Sequence, residues 1–342
     1  MVLSQNVGRC TANTYSEAAV LTRNGDFQVC PGQLKFATLD STMKKPFLNV
    51  LGLVIMATPA AAGDLPRQAD GAGELILTQL VSAPFPHPER RAGHRYKDQF
   101  FSASEHYSDA AVAIFIPPGF RETGQIDFVA HFHGWNNNIQ NVLAQYQLID
   151  QFVASKRNAV LIVPQGPRNA SDSFGGKLED PDGFKRFIEE IAQTLRDKSR
   201  LKRKSFVVGN IILSGHSGGY HVISAILDRG GMTAHLKEVW LFDALYGQTD
   251  KFLAWWDQNG GRLLNIYTEH GGTKAETEAL MAQLKQGGTQ FIAGNEEIIK
   301  SADLTNREPV FLFSALPHDE VVAKHETFRE FLETSMLAKR GD

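Results

Sequence analysis

The stretch from Val207 to Leu227 constrains this chain more than any other. Val207, Val208, Ile211, Ile212 and Leu213 form an apolar, β-branched run of strand length, the composition of a parallel strand buried on both faces. It leads into Gly215-His216-Ser217-Gly218-Gly219, and Val222, Ile223, Ile226 and Leu227 then recur at helical spacing. A strand, a sharp turn and a helix in that order force Ser217 out at the end of a sheet. The turn strains the backbone at the serine, so the residues two before and two after it should be small, as Gly215 and Gly219 are. The five-residue pattern alone would arise by chance in about one chain in ten of this length. The strand before it and the helix after it are the context that makes it a nucleophile elbow.

A serine hydroxyl becomes a useful nucleophile only when a base takes its proton and a carboxylate holds that base in the right tautomer. In the chain order serine, acid, histidine, the base comes from the loop after the last strand. Val310 to Leu316 covers that strand, and Pro317-His318-Asp319-Glu320 follows, which makes His318 the candidate base. His325 lies just beyond and reads as a packing or solvent-facing residue. His221 follows Ser217 by one helical turn and is aimed away from it.

Two carboxylates compete for the acid. Asp243 ends the strand Val239 to Phe242, and Glu269 ends the following one, before His270-Gly271-Gly272. Asp243 is preferred because it directly follows the more apolar strand, although it could instead cap a following helix. An oxyanion hole needs amide donors where negative charge develops. Gly218 supplies the amide after the nucleophile. The loop His131-Phe132-His133-Gly134-Trp135 offers Trp135 as the second donor, with Gly134 permitting close approach. His131 and His133 could begin a metal site, but no further ligand cluster at suitable spacing supports one, and no metal or cofactor is expected.

The order of elements sets the fold class. Strands are expected at 74–81, 95–103, 111–116, 126–133, 159–163, 239–242, 263–267 and 310–313 besides the elbow strand. Helices are expected over 142–154 and along the stripe Phe184, Phe187, Ile188, Ile191 and Leu195. Alternation of this kind implies an α/β protein with a mostly parallel central sheet and helices on both faces. Segments 170–183 and 287–308 are expected as excursions near the site mouth, where ligands gather at the carboxyl ends of the strands.

With Gly215-His216-Ser217-Gly218-Gly219, His133-Gly134 and the order Ser217, Asp243, His318 in view, the chain resembles the α/β-hydrolase family over residues 109–335. The resemblance implies an eight-stranded, mostly parallel sheet and cofactor-free hydrolysis of esters or related acyl compounds. Most family members carry the acid two strands after the elbow, where Glu269 lies, and some lipase-like members carry it one strand after, where Asp243 lies. Segment 63–108 matches no motif of the family.

Composition narrows the setting. The 342 residues are 42% hydrophobic and 21% charged, as in a soluble enzyme, and a formal net charge of -3 gives no reason to expect nucleic acid. The basic run Arg196 to Lys204 reads as a solvated helix end, with cations at the negative pole of the helix dipole. Met43-Lys44-Lys45, an apolar stretch from Phe47 to Met56 and Ala60-Ala61-Ala62-Gly63 have the three parts of a secretory signal. That stretch is too short for stable membrane insertion, which takes about 20 apolar residues. The expected organisation is a non-native upstream extension over 1–42, with Met43 the true start, a signal peptide over 43–62 and one catalytic domain over 63–342. Both cysteines, Cys10 and Cys30, lie in the extension.

The leading expectation is a periplasmic or secreted serine esterase acting on a small-molecule or polymer-derived ester. A peptidase or acyltransferase would use the same residues. A third possibility is a non-catalytic carbohydrate- or peptide-binding protein, with Trp135, Asn136, Asn137, Asn138, Phe174, Tyr220 and Tyr246 lining a cleft.

Overall fold

The computed structural model describes residues 73–341. The expected extension, the signal peptide and both cysteines lie outside the described residues. In chain order the strands are β1 (Glu74–Gln79), β2 (His94–Tyr96), β3 (Gln99–Phe101), β4 (Ala111–Ile116), β5 (Gln125–Phe132), β6 (Val160–Pro164), β7 (Val207–His216), β8 (Leu236–Phe242), β9 (Arg262–Thr268), β10 (Ile292–Asn295) and β11 (Val310–Ser314). The helices are α1 (Ala103–His106), α2 (Ile139–Gln145), α3 (Leu148–Ala154), α4 (Gly183–Lys198), α5 (Gly219–Arg229), α6 (Thr249–Asn259), α7 (Lys274–Gln286) and α8 (Thr327–Glu333).

Nine strands form one sheet in the order β1-β4-β6-β5-β7-β8-β9-β11-β10. The pairings from β6 through β10 are all parallel, while β4 runs antiparallel to both β6 and β1. This is the α/β-hydrolase layout that the resemblance implies, with one strand more than the expected eight. The extra strand is β10, inside the segment 287–308 that was expected to be an excursion at the site mouth. Its Ile292-Ala293-Gly294-Asn295 carries too little apolar patterning to announce a strand, and pairing with β11 is what orders it.

Alternating side chains feed two cores. Ile114, Phe128, Leu213 and Leu241 point to the face covered by α4, α5, α6 and α7. Phe115, Val129, Ile212 and Phe242 point to the face covered by α2, α3 and α8. In α4 the stripe Phe184, Phe187, Ile188, Ile191 and Leu195 is fully buried, each side chain contributing about 1.5–3 kcal/mol of burial. The basic run after it is tied into loops: the Lys202 and Arg203 amides donate to Glu122, and the Arg200 amide to Glu74.

Two other expectations need correction. Residues 95–103 are not one strand but the β2–β3 hairpin, which reverses at Lys97 in left-handed backbone, φ +52°. The helix expected over 142–154 is two, α2 and α3, separated at Gln147, φ +48°. That break leaves Tyr146 free to bury its ring beneath the end of β7.

Register carries the strand ends to a common edge. Phe132 pairs with Gly215, His216 with Phe242, Phe242 with Ile266, and Ser314 with Thr268. The loops after β5, β7, β8, β9 and β11 therefore leave the sheet side by side. Toward the opposite end, Glu238 at the start of β8 is buried with Arg262 of β9, whose guanidinium also donates to the carbonyls of Leu304, Phe331 and Thr334. Among the described residues no helix is long and apolar enough to cross a membrane.

Candidate active site

Ser217 sits between β7 and α5 with φ +52°, a conformation that costs an L-residue about 1–2 kcal/mol. Packing requires glycine at 219 and favours it at 215. A Cβ at Gly215 would lie 2.6 Å from Ile223 Cδ1, and one at Gly219 would lie 2.5 Å from the Phe132 carbonyl oxygen. The Ser217 amide donates to the Phe242 carbonyl at 3.2 Å, which pins the turn to the end of β8.

Asp243 is the next residue along β8. It is fully buried, in left-handed backbone at φ +45°, and caps no helix, since α6 starts only at Thr249. Its carboxylate accepts from the Thr268 amide at 3.2 Å, the Thr268 hydroxyl at 2.7 Å and the Thr273 hydroxyl. Oδ2 lies 2.7 Å from His318 Nδ1. Burial pushes the Asp243 carboxyl up, but the hydrogen bonds from His318, Thr273 and Thr268 outweigh it and hold the group below the usual carboxylate range. An ionised carboxylate only accepts, so His318 carries its proton on Nδ1 and leaves Nε2 with a lone pair. A Cβ at Gly271 would fall 1.6 Å from Asp243 Oδ2, so the β9–α7 loop wraps closely around the acid.

Glu269 does not join this group. It is solvent-exposed and pairs with Lys274 at 2.6 Å, an ion pair that lowers its pKa. Of the two carboxylates read from the sequence, only Asp243 meets His318.

The serine hydroxyl has close neighbours on two sides. A Cβ at Gly134 would come 2.5 Å from Ser217 Cβ and 3.0 Å from its Oγ, so the loop after β5 lies directly against the nucleophile. Trp135 extends that loop over Gly218, where an added Cβ would meet the indole at 2.9 Å, and its Nε1 donates to Ser173 at 2.7 Å. Segment 170–183 thus reaches the site, as expected. On the other side the Tyr246 side chain interacts with that of Ser217, and its hydroxyl donates to the Gly271 carbonyl. Burial and the nearby Asp243 push the Tyr246 hydroxyl up to about 12, so it stays protonated. The Tyr246 ring is 6.4 Å from that of His318.

The remaining histidines have other places. His131 is wholly buried with Nδ1 2.9 Å from the Ser214 hydroxyl, and burial drives its pKa down to about 3. His133, just past the end of β5, receives the Gly166 amide on Nε2, and burial lowers its pKa too. His221 turns away to Glu179, at 2.8 Å, and His325 lies 3.5 Å from Glu296. Among the described residues one trio, His216, His318 and Asp319, has ligand atoms close enough for a metal. Both ring nitrogens of His216 and Nδ1 of His318 already have protein partners, so the trio is poorly suited to hold one.

Sequence reasoning missed the two threonines. Thr268 and Thr273 are ordinary residues in the chain, and only a polar residue at the end of an otherwise apolar strand hinted at Thr268. It passed over His216 as well.

No family model and no curated protein matches this chain by sequence. Among solved structures it is similar to a ferulic acid esterase, at 11% identity over 77% of this chain and 98% of that one, TM-score 0.48. The feruloyl esterase module from Clostridium thermocellum is similar at 10% identity over 81% and 93%, TM-score 0.47. The serine hydrolase FphF from Staphylococcus aureus is similar at 10% identity over 78% and 100%, TM-score 0.44. At these levels the likeness carries no argument about chemistry.

Proposed function

We propose that this protein is a serine hydrolase that cleaves carboxylic esters through an acyl-enzyme. The observation that carries the reading is the 2.7 Å contact between His318 Nδ1 and the buried Asp243, with Ser217 in the strained backbone of an elbow directly after His216, whose ring is 4.5 Å from that of His318. Nε2 of His318 takes the Ser217 proton as Oγ attacks the ester carbonyl. The tetrahedral oxyanion is held by the amides of Gly218 and Trp135. The C–O bond then breaks, and His318 returns the proton to the departing alcohol. Water, deprotonated by the same imidazole, releases the acid and regenerates the serine. Asp243 fixes the tautomer and offsets the charge on His318 during both steps.

The substrate is a small-molecule or polymer-derived ester, and the working location is the periplasm or the exterior, as the signal-like segment 43–62 argues. Hydrolysis of p-nitrophenyl esters by wild type and Ser217→Ala, together with fluorophosphonate labelling, tests the chemistry. Equal turnover by both proteins, or labelling elsewhere than Ser217, would refute it. N-terminal sequencing of the exported protein tests the signal, and a mature terminus before Met43 would refute a start at that residue.

A further inference from the structure

His216 occupies the variable position before the nucleophile, and nothing in the reaction as written uses it. It is 2% exposed, at the last position of β7. Its Nε2 lies 3.0 Å from the main-chain carbonyl oxygen of His318, and its Nδ1 lies 2.9 Å from the Tyr146 hydroxyl. The two imidazole rings are 4.5 Å apart at 39°. A carbonyl can only accept, so Nε2 of His216 must carry the proton. Nδ1 is then an acceptor, and the Tyr146 hydroxyl donates to it.

We infer that His216 is a positioning residue: through the His318 carbonyl it fixes the main chain of the base relative to the serine that follows it in sequence. This rests on the serine-hydrolase reading above. The need for such a hold is geometric. His318 stands in a short 3-10 turn, His318–Glu320, between β11 and α8, with its side chain 27% exposed. Asp243 grips one ring nitrogen, and the buried Val321 and Val322 anchor the chain beyond the turn, but neither holds the main chain of His318 itself. A direct hold on that main chain supplies the missing constraint. Because His216 and Ser217 are adjacent, the hold transmits the position of β7 directly to the base.

The charge state suits the task. Burial, with the neighbouring His318, drives the His216 pKa down to about 4, so the ring stays neutral while His318 gains and loses its proton. The other groups facing it are Tyr146, whose own pKa burial raises, and the more distant carboxylates of Asp319 and Asp243. A cation here would oppose protonation of His318 in the transition state.

Two polar variants separate this role from mere packing. Glutamine at 216 can place its amide N–H where Nε2 stood. The shorter asparagine reaches only the Tyr146 side. We expect His216→Asn to lower kcat about tenfold to a hundredfold with KM within about twofold, the scale of a mispositioned catalytic group. His216→Gln should recover kcat to within about threefold of wild type. Equal kcat for the two variants would overturn the inference. A second measurement needs no variant: 15N NMR of the wild-type histidines should show His216 as the Nε2–H tautomer, and an Nδ1–H signal would overturn it. Wild type that fluorophosphonate fails to label at Ser217 refutes the hydrolase reading itself. Wild type that labels there, with variants that turn over alike, refutes only the role of His216.

Discussion

Gly134 and Ser217 touch: the space that a methyl group on Gly134 would occupy lies 2.5 Å from the serine Cβ. Real Cβ atoms do not approach that closely, so one of the two must move if the methyl is added. Gly134→Ala should therefore displace the loop that carries the Trp135 amide, and with it half of the oxyanion hole. Loss of one such donor costs about 10²–10³ in kcat. Steady-state kinetics beside a thermal melt would check this, and unchanged kcat in a folded variant would deny Trp135 its role.

The acid can be settled with two isosteric changes. Asp243→Asn keeps the shape but lets His318 flip its proton to the wrong nitrogen, which should lower kcat by about 10⁴. Glu269→Gln removes one charge of an exposed ion pair and should change kcat by less than about twofold. Comparable losses in both variants would contradict the geometry.

Stability should fall as the solution is acidified, well before carboxylates titrate. In the unfolded chain histidine titrates near pH 6.5. In the fold His216 is depressed to about 4 and His131 to about 3, with His133 lowered in the same direction. Between those values the unfolded state binds protons that the folded state refuses, so stability rises with pH. Read downward, it is lost from about pH 6.5 toward pH 4, at up to about 1.4 kcal/mol per pH unit for each histidine. The depressed Asp243 adds a further loss only at lower pH. Urea midpoints at pH 7 and pH 5 would measure the effect, and equal midpoints would mean that these rings are not held neutral.

Far from the serine, Glu238→Ala should be costly to the fold alone. It strands the buried Arg262 guanidinium and removes acceptors from the Trp240 indole and the Met336 amide. Breaking a buried pair on one side costs about 3–5 kcal/mol. Denaturant unfolding should show that loss, while kcat per folded molecule stays within about twofold.

What could be read in the chain beforehand follows a physical line. Ala111 to Ile116 is buried at every position on both faces, and an unbroken apolar run reports such a strand directly. The elbow was legible because strand, turn and helix each leave a local mark. The β10 strand was not, because its order comes from β11 beside it. The helix break at Gln147 carries no glycine or proline and arises from where Tyr146 is buried. The preference for Asp243 over Glu269 rested only on the more apolar strand before it. Both end strands, and what separates them is a set of partners, Thr268, Thr273 and His318, that only the folded sheet assembles.

The tight wrap of the β9–α7 loop has one more implication. With the Asp243 carboxylate standing where any side chain at 271 would have to go, mutability there and the location of the acid are a single inherited choice. A descendant could diversify position 271 only after transferring its carboxylate to another strand. Until then position 271 is closed to evolutionary tinkering, and new specificities must be drawn from elsewhere around the site mouth.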